Sequence, residues 1–318
     1  SQVDVRLGNG SGVFGPSSAF SVGMGVSSVE DVRVVDIDKD GKLDLIASAS
    51  SGKGLSHLAG NGAGGFTLVN KFTVGTNPVG VFVADLNNDN HLDVVVANLA
   101  SSSVSVLLND GMGSLVKQMA DIAVAANPYQ VAIADMDGDG FADMVVTHLP
   151  GTGPSLLLGN GDGTFKTPVA VDNTLSSTGY VLRGDYNGDT KMDILVTRAS
   201  ASRLAFLPGI GNGTFGPSVQ STAASSPVGL ALADLDGDGR TDAVVVNSIG
   251  NSLTMYYGVV GGAGPFPTTP SITFATGVNP ISVAVGDLNN DGLLDIVNTV
   301  RDSTAAASNI EVRLGQCM

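Results

Sequence analysis

Six copies of one nine-residue acidic segment run through this 318-residue chain. They begin at Asp36, Asp85, Asp135, Asp185, Asp234 and Asp287, so successive copies stand 49, 50, 50, 49 and 53 positions apart. Such a period marks an array of small units. A unit of this size cannot bury a core alone, so neighbours stack into one body. The expectation is therefore one repeat domain over residues 1–318, although length alone suggests about two.

Within each copy the donors fall at fixed offsets. Position 1 is Asp36, Asp85, Asp135, Asp185, Asp234 and Asp287. Position 3 is Asp38, Asn87, Asp137, Asn187, Asp236 and Asn289. Position 5 is Asp40, Asp89, Asp139, Asp189, Asp238 and Asp291, and position 9 is Asp44, Asp93, Asp143, Asp193, Asp242 and Asp295. Side chains at 1, 3 and 5 of a tight loop converge, the position-7 carbonyl joins them, and the position-9 carboxylate closes the shell. That is an oxygen cage for a hard cation that takes six to eight oxygens at about 2.3–2.6 Å, which suits calcium better than magnesium. The spacing matches the first half of an EF-hand loop but lacks its Glu at position 12. Apolar β-formers such as Val94-Val95-Val96 follow in place of a helix. The loop therefore joins two strands, and about six calcium ions are expected. Position 6 needs a residue that tolerates positive φ. It is Gly41, Gly140, Gly239 and Gly292 in four copies, Asn90 in one and Thr190 in one. The β-branched Thr190 is expected to be strained, making the fourth site the weakest.

Charge follows the loops. Of 30 acidic residues, 21 lie inside the six segments, while the remainder of the chain has 9 acidic and 11 basic residues. The formal charge of −15 thus belongs to the loops rather than to an acidic surface. Solvated Asp/Asn turns alone would not require three carboxylates at fixed offsets. No apolar stretch reaches the ~20 residues of a membrane span, and no basic or aromatic-basic patch points to nucleic acid. A secretory signal segment is not recognisable in this sequence. The single Cys317 excludes an internal disulfide.

Around each loop the pattern is of short strands. An apolar segment precedes it (Val32–Val35, Val81–Ala84, Val131–Ala134), and a second and third apolar run follow. Next come glycine-rich hairpins such as Gly60-Asn-Gly-Ala-Gly64 and Gly159-Asn-Gly-Asp-Gly163, then a Phe and a fourth strand. Four antiparallel strands per repeat without helical period describe a β-propeller blade. The terminal segments carry strands 3 and 4 at one end and strands 1 to 3 at the other. That gives 25 strands against 24 for six blades and 28 for seven. The expectation is an all-β propeller of six four-stranded blades, the last closed by both chain termini. The alternative is seven blades, one incomplete.

Leu158-Gly-Asn-Gly-Asp-Gly-Thr-Phe165 and Ala233-Asp-Leu-Asp-Gly-Asp-Gly-Arg-Thr-Asp242 resemble FG-GAP/VCBS repeats, as in the integrin α-subunit propeller and many secreted bacterial proteins. The resemblance covers nearly the whole chain. It implies calcium in the strand 1–2 loops on one face and ligand binding, where present, on the opposite face. Its members include adhesion modules, lectin-like binders and polysaccharide-lyase propellers, so it implies no one activity.

Candidate ligand residues follow from that geometry. The strand 2–3 loops differ between repeats, and binding sits where loops vary on a constant scaffold. They carry His148, Arg198, Arg203 and the stretch 298–309 with Arg301 and Asp302. In the fourth repeat Arg183 replaces an aliphatic residue, and Tyr180 lies close to it in sequence. Arg183-Gly184-Asp185 spells an adhesion tripeptide, but Asp185 is a metal ligand, so the match is read as coincidence. No nucleophile elbow, histidine metal pair or phosphate loop appears. Without Trp and with five Tyr, sugar-stacking platforms are scarce. The sequence reading is a secreted, cell-surface or periplasmic calcium-binding module for a surface glycan or a protein. The alternatives are a carbohydrate-active enzyme of the lyase kind and a structural module of a larger surface protein.

Overall fold

In every repeat the apolar segments on either side of the acidic loop form an antiparallel pair, and the later segments add to its outer side. A computed structural model describes residues 2–23, 28–50, 53–260, 264–301 and 309–315. In chain order β1 (Gln2–Val5) and β2 (Ser18–Ser21) come first. Blade one is β3 (Val29–Val35), β4 (Asp44–Ala49), β5 (Gly54–Gly60) and β6 (Phe66–Thr73). Blade two is β7 (Pro78–Ala84), β8 (Asp93–Asn98), β9 (Ser103–Asn109) and an outer strand in two pieces, β10 (Leu115–Lys117) and β11 (Ile122–Ala123), both on β9. Blade three is β12 (Pro128–Ala134), β13 (Asp143–His148), β14 (Ser155–Leu157) and β15 (Val169–Ala170). Blade four is β16 (Thr178–Gly184), β17 (Asp193–Arg198), β18 (Arg203–Leu207) and β19 (Val219–Thr222). Blade five is β20 (Pro227–Ala233), β21 (Asp242–Asn247), β22 (Ser252–Tyr256) and β23 (Ile272–Ala275). Blade six is β24 (Pro280–Gly286), β25 (Asp295–Val300) and β26 (Asn309–Arg313). All are antiparallel meanders, and together they are the blades of a six-bladed β-propeller. A single-turn 3-10 helix, Ala199–Ala201, interrupts the strands.

The second strand of a blade lies in the middle of its sheet and is covered on both faces. In blades one to five all six of its residues are buried. This explains why the second runs are continuously apolar rather than alternating. The first strands open with Pro in blades two, three, five and six, directly after a positive-φ Asn or Ser. A register shift follows in all six blades. Pro has no N–H to give the ladder, so it fits the strand start beside a bulge.

The chain falls into two compact units. One comprises residues 1–7 and 15–173, the other residues 8–14 and 174–318. In the first, Leu55 of blade one and Val94 and Val96 of blade two belong to one core cluster, and blades two and three share another. In the second, blades four and five share Leu195, Phe206, Val245 and Tyr256, and blades five and six share Val244, Met255 and Ile296.

The terminal strands depart from the expected mixed blade. β1 pairs with β2 in a two-stranded sheet, and β24–β26 make a three-stranded sheet of their own. Val3-Asp-Val-Arg-Leu7 and Ile310-Glu-Val-Arg-Leu314 are near copies, and β25 has room for one third strand. The copy close in sequence takes it, because closing a short loop costs less entropy than closing one of nearly 300 residues. Within the first unit, Val3, Val5 and Phe20 pack instead on Leu45, Ala47 and Leu58 of blade one.

Candidate functional site

Each acidic loop joins the first and second strands of a blade, as the repeat requires. The position-1 carboxylate accepts the position-6 N–H at 2.8–3.0 Å in all six copies. The position-3 oxygen accepts the position-5 N–H at 2.9–3.2 Å. The position-5 carboxylate accepts the position-7 N–H at 2.8–3.0 Å. These bonds curl the loop and turn the remaining lone pairs toward one point. Carboxylate oxygens within 4.8 Å of one another gather at Asp36, Asp38 and Asp40, at Asp135, Asp137 and Asp143, and at Asp234, Asp236 and Asp242. In loops two, four and six, Asn87, Asn187 and Asn289 replace one carboxylate by a neutral carbonyl donor. The donor set is all oxygen, acidic and clustered, and it fits a calcium-type cation.

Position 6 has positive φ in every copy, +84° at Gly41, +66° at Asn90, +87° at Gly140, +69° at Thr190, +82° at Gly239 and +84° at Gly292. Thr190 therefore holds the left-handed conformation despite its branched Cβ. The same is true of position 4, where φ is +60° at Lys39, +59° at Asn88 and Asn290, and between +76° and +81° at Gly138, Gly188 and Gly237. The prevalence of Gly and Asn at position 4 was the available signal for this second left-handed residue.

Position 9 has a structural role besides its place in the acidic cluster. Its carboxylates are at most 1% exposed. One oxygen accepts the position-2 N–H at 2.8–3.2 Å. The other accepts a backbone N–H from the end of the third strand, at 2.7–2.8 Å in all six blades. That donor is Gly60, Gly159, Gly209, Gly258 and Gly315, and Asn109 in blade two. A Cβ on Gly60, Gly159 or Gly209 would lie 1.9–2.3 Å from the carbonyl of the residue before the Asp, so the close approach requires glycine there. The Asp thus ties the acidic loop to the neighbouring hairpin. The spacing of 16 residues from Asp to Gly in four repeats was its sequence signature.

Electrostatics separate these positions. Burial raises Asp93 to about 6, with Asp85 and Asp89 adding repulsion and the two N–H bonds offsetting part of it. Burial likewise raises Asp143, Asp193 and Asp242. Exposed Asp40 is held below its ordinary value by a hydrogen bond from Lys42. A cation bound in the loop would hold all these groups ionised.

Adjacent blades brace the loops. Gly163 N–H bonds the Leu86 carbonyl and Asn109 Nδ2 bonds the Ile37 carbonyl, so the hairpin of one blade reaches the loop of the one before. In the second unit Gly12 N–H bonds the Leu288 carbonyl in the same manner.

The candidate ligand residues fall into two groups. Tyr180, Arg183, Arg198 and Arg203 share blade four, where Arg198 and Arg203 are directly paired across β17 and β18. Arg183 is exposed, Tyr180 and Arg203 half-buried. Arg198 is buried and donates to Gln220 Oε1 at 2.6 Å. His148 is fully buried, with ring nitrogens 3.2 Å from the Ala126 carbonyl and 3.0 Å from Ser155 Oγ, and burial lowers its pKa. Arg301 is exposed. Asp302 and Cys317 lie outside the described residues.

Fold and loops together define a β-propeller whose strand 1–2 turns carry acidic, oxygen-rich loops that could hold a cation. The family model for the FG-GAP-like repeat matches residues 45–96, 85–146, 185–245 and 234–297, and the chain belongs to that family. No curated protein sequence matches it. Among solved structures, an Agrocybe aegerita lectin that recognises non-reducing terminal N-acetylglucosamine is similar at 18% identity and TM-score 0.59, over 98% of this chain and 89% of that one. BBS1N in complex with ARL6DN is similar at 14% and 0.60, over 88% and 79%. A Lactobacillus plantarum protein is similar at 14% and 0.60, over 85% and 75%. At these identities the likeness is one of fold. The fold is that of a binding or structural module, and no helix among the described residues is long and apolar enough to cross a membrane.

Proposed function

We propose that this protein is a secreted or cell-surface binding module whose six acidic loops hold calcium and whose opposite blade ends receive a glycan or protein ligand. The observation that carries the calcium reading is the sixfold recurrence of one cage, with the same loop hydrogen bonds and the same positive φ at position 6. Where the residue is not glycine, as at Asn90 and Thr190, the left-handed backbone is strained and is kept nonetheless, which favours a functional constraint on the loop. Calcium would neutralise three or four carboxylates per loop and so fix the strand 1–2 turn. The ligand end follows from the blade itself, since the 1–2 turn and the 2–3 turn lie at opposite ends of the second strand. There Arg203 and Arg301 offer cationic donors, and Arg198, the cross-strand neighbour of Arg203, is held by Gln220. The fold shared with a sugar-recognising lectin favours a glycan as the first class to screen.

The test is a glycan array probed with calcium and again in chelator under folded conditions. Binding to a defined glycan set, weakened at least tenfold by Arg203→Ala without a change in melting temperature, supports the reading. An array without binding would overturn the glycan reading, and binding that survives Arg203→Ala but is lost on Asp139→Ala in the folded protein would move the site to the loop face.

A further inference from the structure

Three of the six acidic loops carry Asn rather than Asp at position 3, and the residue that follows it differs among them. Loops two and six read Asn87-Asn88 and Asn289-Asn290, whereas loop four reads Asn187-Gly188. Asn87 and Asn289 are half-buried, and each donates from Nδ2 to the position-5 carboxylate, at 2.9 Å to Asp89 and to Asp291. Asn187 and Gly188 are exposed, and Asn187 Nδ2 has no such partner among the described residues. Beside Asp189 stands Lys191 instead, 3.9 Å away. The Asn187 amide is held through its oxygen, which accepts the Asp189 N–H at 2.9 Å.

An Asn side chain is open to attack at Cγ by the backbone nitrogen of the next residue. A side chain on that next residue shields the nitrogen, as at Asn88 and Asn290. Gly188 carries none. It holds φ at +79°, and a Cβ placed on it would meet nothing within 4 Å. Its N–H donates to Asp185 Oδ1 at 2.7 Å, so a carboxylate stands ready to take the proton that the nitrogen loses on attack. In loops three and five the same glycine follows Asp137 and Asp236, whose ionised carboxylates resist attack.

We propose that Asn187 is a site of spontaneous deamidation that rebuilds loop four. The Gly188 nitrogen bonds to Asn187 Cγ, the side-chain nitrogen leaves as ammonia, and a succinimide ring closes. Water then opens the ring. Attack at Cγ leaves an ordinary aspartate, and attack at the main-chain carbonyl leaves an isoaspartate, whose main chain runs through Cβ and Cγ. The aspartate gives loop four the donor set that Asp38, Asp137 and Asp236 give loops one, three and five. The added charge strengthens a calcium-type cage. The isoaspartate lengthens the main chain and throws the later donors out of register. Asn-Gly also occurs in the hairpins, at Asn9, Asn61, Asn160 and Asn212. There an aspartate does the work of the Asn: Asp110 Oδ1 accepts the Met112 N–H in blade two, as Asn61 Oδ1 accepts the Ala63 N–H in blade one. Only at Asn187 does conversion change a cage donor. A cation in the loop would engage Asp185 and fix the turn, so conversion belongs to the metal-free chain. That consequence rests on the calcium reading, while the conversion itself rests on the covalent chemistry of the loop.

The test ages the whole protein at mildly alkaline pH, in chelator and in saturating calcium. Peptide mass mapping, with isoaspartate-specific methylation, then follows each Asn. In chelator the peptide that holds Asn187 should gain the mass of amide-to-acid conversion, part of it as isoaspartate, while Asn87 and Asn289 stay intact. Calcium should slow the conversion at least tenfold. The aspartate form, separated by ion exchange, should titrate with calcium as Asn187→Asp does, with site four tightened roughly tenfold. The isoaspartate form should lose that site. An Asn187 that stays intact in chelator while the hairpin pairs convert overturns the proposal, as does equally fast conversion of Asn87 or Asn289. Six sites with affinities unchanged in Asn187→Asp overturn the rebuilding of the loop. Conversion that calcium does not slow, with no site titrated at loop four, supports the deamidation and refutes the cation there, so the two failures are told apart.

Discussion

The two ends of the second strand are built on opposite rules. At its start stands the same residue six times: Asp44, Asp93, Asp143, Asp193, Asp242 and Asp295, each buried and each accepting two backbone N–H groups. At its end stand Ala49, Asn98, His148, Arg198, Asn247 and Val300. All are buried, and where polar each hydrogen-bonds a different side chain. Asn98 bonds Ser103 and Ser105, His148 bonds Ser155, Arg198 bonds Gln220, and Asn247 bonds Ser252 and Thr254. The start is constant because it answers to main-chain N–H groups that recur in every repeat and, on the proposed reading, to a cation. The end answers only to its own blade, so its chemistry drifts. A repeat protein can thus keep one end for stability and vary the other for recognition.

The largest test of this contrast is removal of calcium. At ~1 mM calcium and Kd ~0.1 mM each site adds about 1.4 kcal/mol, so six independent sites add roughly 8 kcal/mol. That is comparable with the stability of a whole domain. Chelation is expected to lower the melting temperature by well over ten degrees. An unchanged melt in chelator would leave the constant end without its cation.

The second test divides brace from ligand within one loop. Asp143→Ala strands the N–H groups of Met136 and Gly159. At roughly 1–3 kcal/mol for each buried donor, it should cost about 3–5 kcal/mol in denaturant melts, in chelator as well as in calcium. Asp139→Ala removes an exposed position-5 ligand and should cost about 1.4 kcal/mol in calcium and almost nothing in chelator. A loss from Asp139→Ala that is as large in chelator as in calcium would merge the two roles.

A third test uses pH. The position-9 carboxylates of Asp93, Asp143, Asp193 and Asp242 have raised folded pKa values. A raised carboxylate favours the folded state while protonated, and that advantage is lost as pH rises through the folded value. The metal-free protein should therefore lose stability between about pH 4 and pH 6, the upper bound being set by Asp93. With saturating calcium the order should reverse, because the cation needs the ionised form. Melting curves at several pH values, with and without chelator, decide it.

Much of this was open to a reader of the sequence, and the reasons for success and failure are specific. The loops, their strands and the positive φ of Thr190 follow from a pattern stated six times over. The brace at position 9 was hidden because an acidic residue serves as ligand or as acceptor equally well. The partner Gly lies 16 residues on, where only the folded hairpin explains it. Terminal pairing was hidden because Val3–Leu7 and Ile310–Leu314 are near copies, so sequence cannot say which one β25 takes. His148 and Arg198 read as loop residues available to a ligand. They are buried because the blade extends one residue further than their polarity suggests.

The smallest expected effect is also the most local. Thr190→Gly relieves a left-handed φ of +69° at a branched residue. Relief of about 1–2 kcal/mol, less the entropy that glycine loses, should leave a gain of about 1 kcal/mol and a tighter fourth site. Gly140→Thr should do the opposite in the third. Urea melts in calcium check both, and a neutral Thr190→Gly would show that the fourth loop is unstrained.

The central claim is that one cage is built six times, and calorimetric titration of the metal-stripped protein with calcium tests it most directly. About six sites per chain are predicted, one of them, at residues 185–193, weaker than the others. Two sites or fewer would contradict it, and the acidic segments would then be solvated turns that share a spacing without sharing a cation.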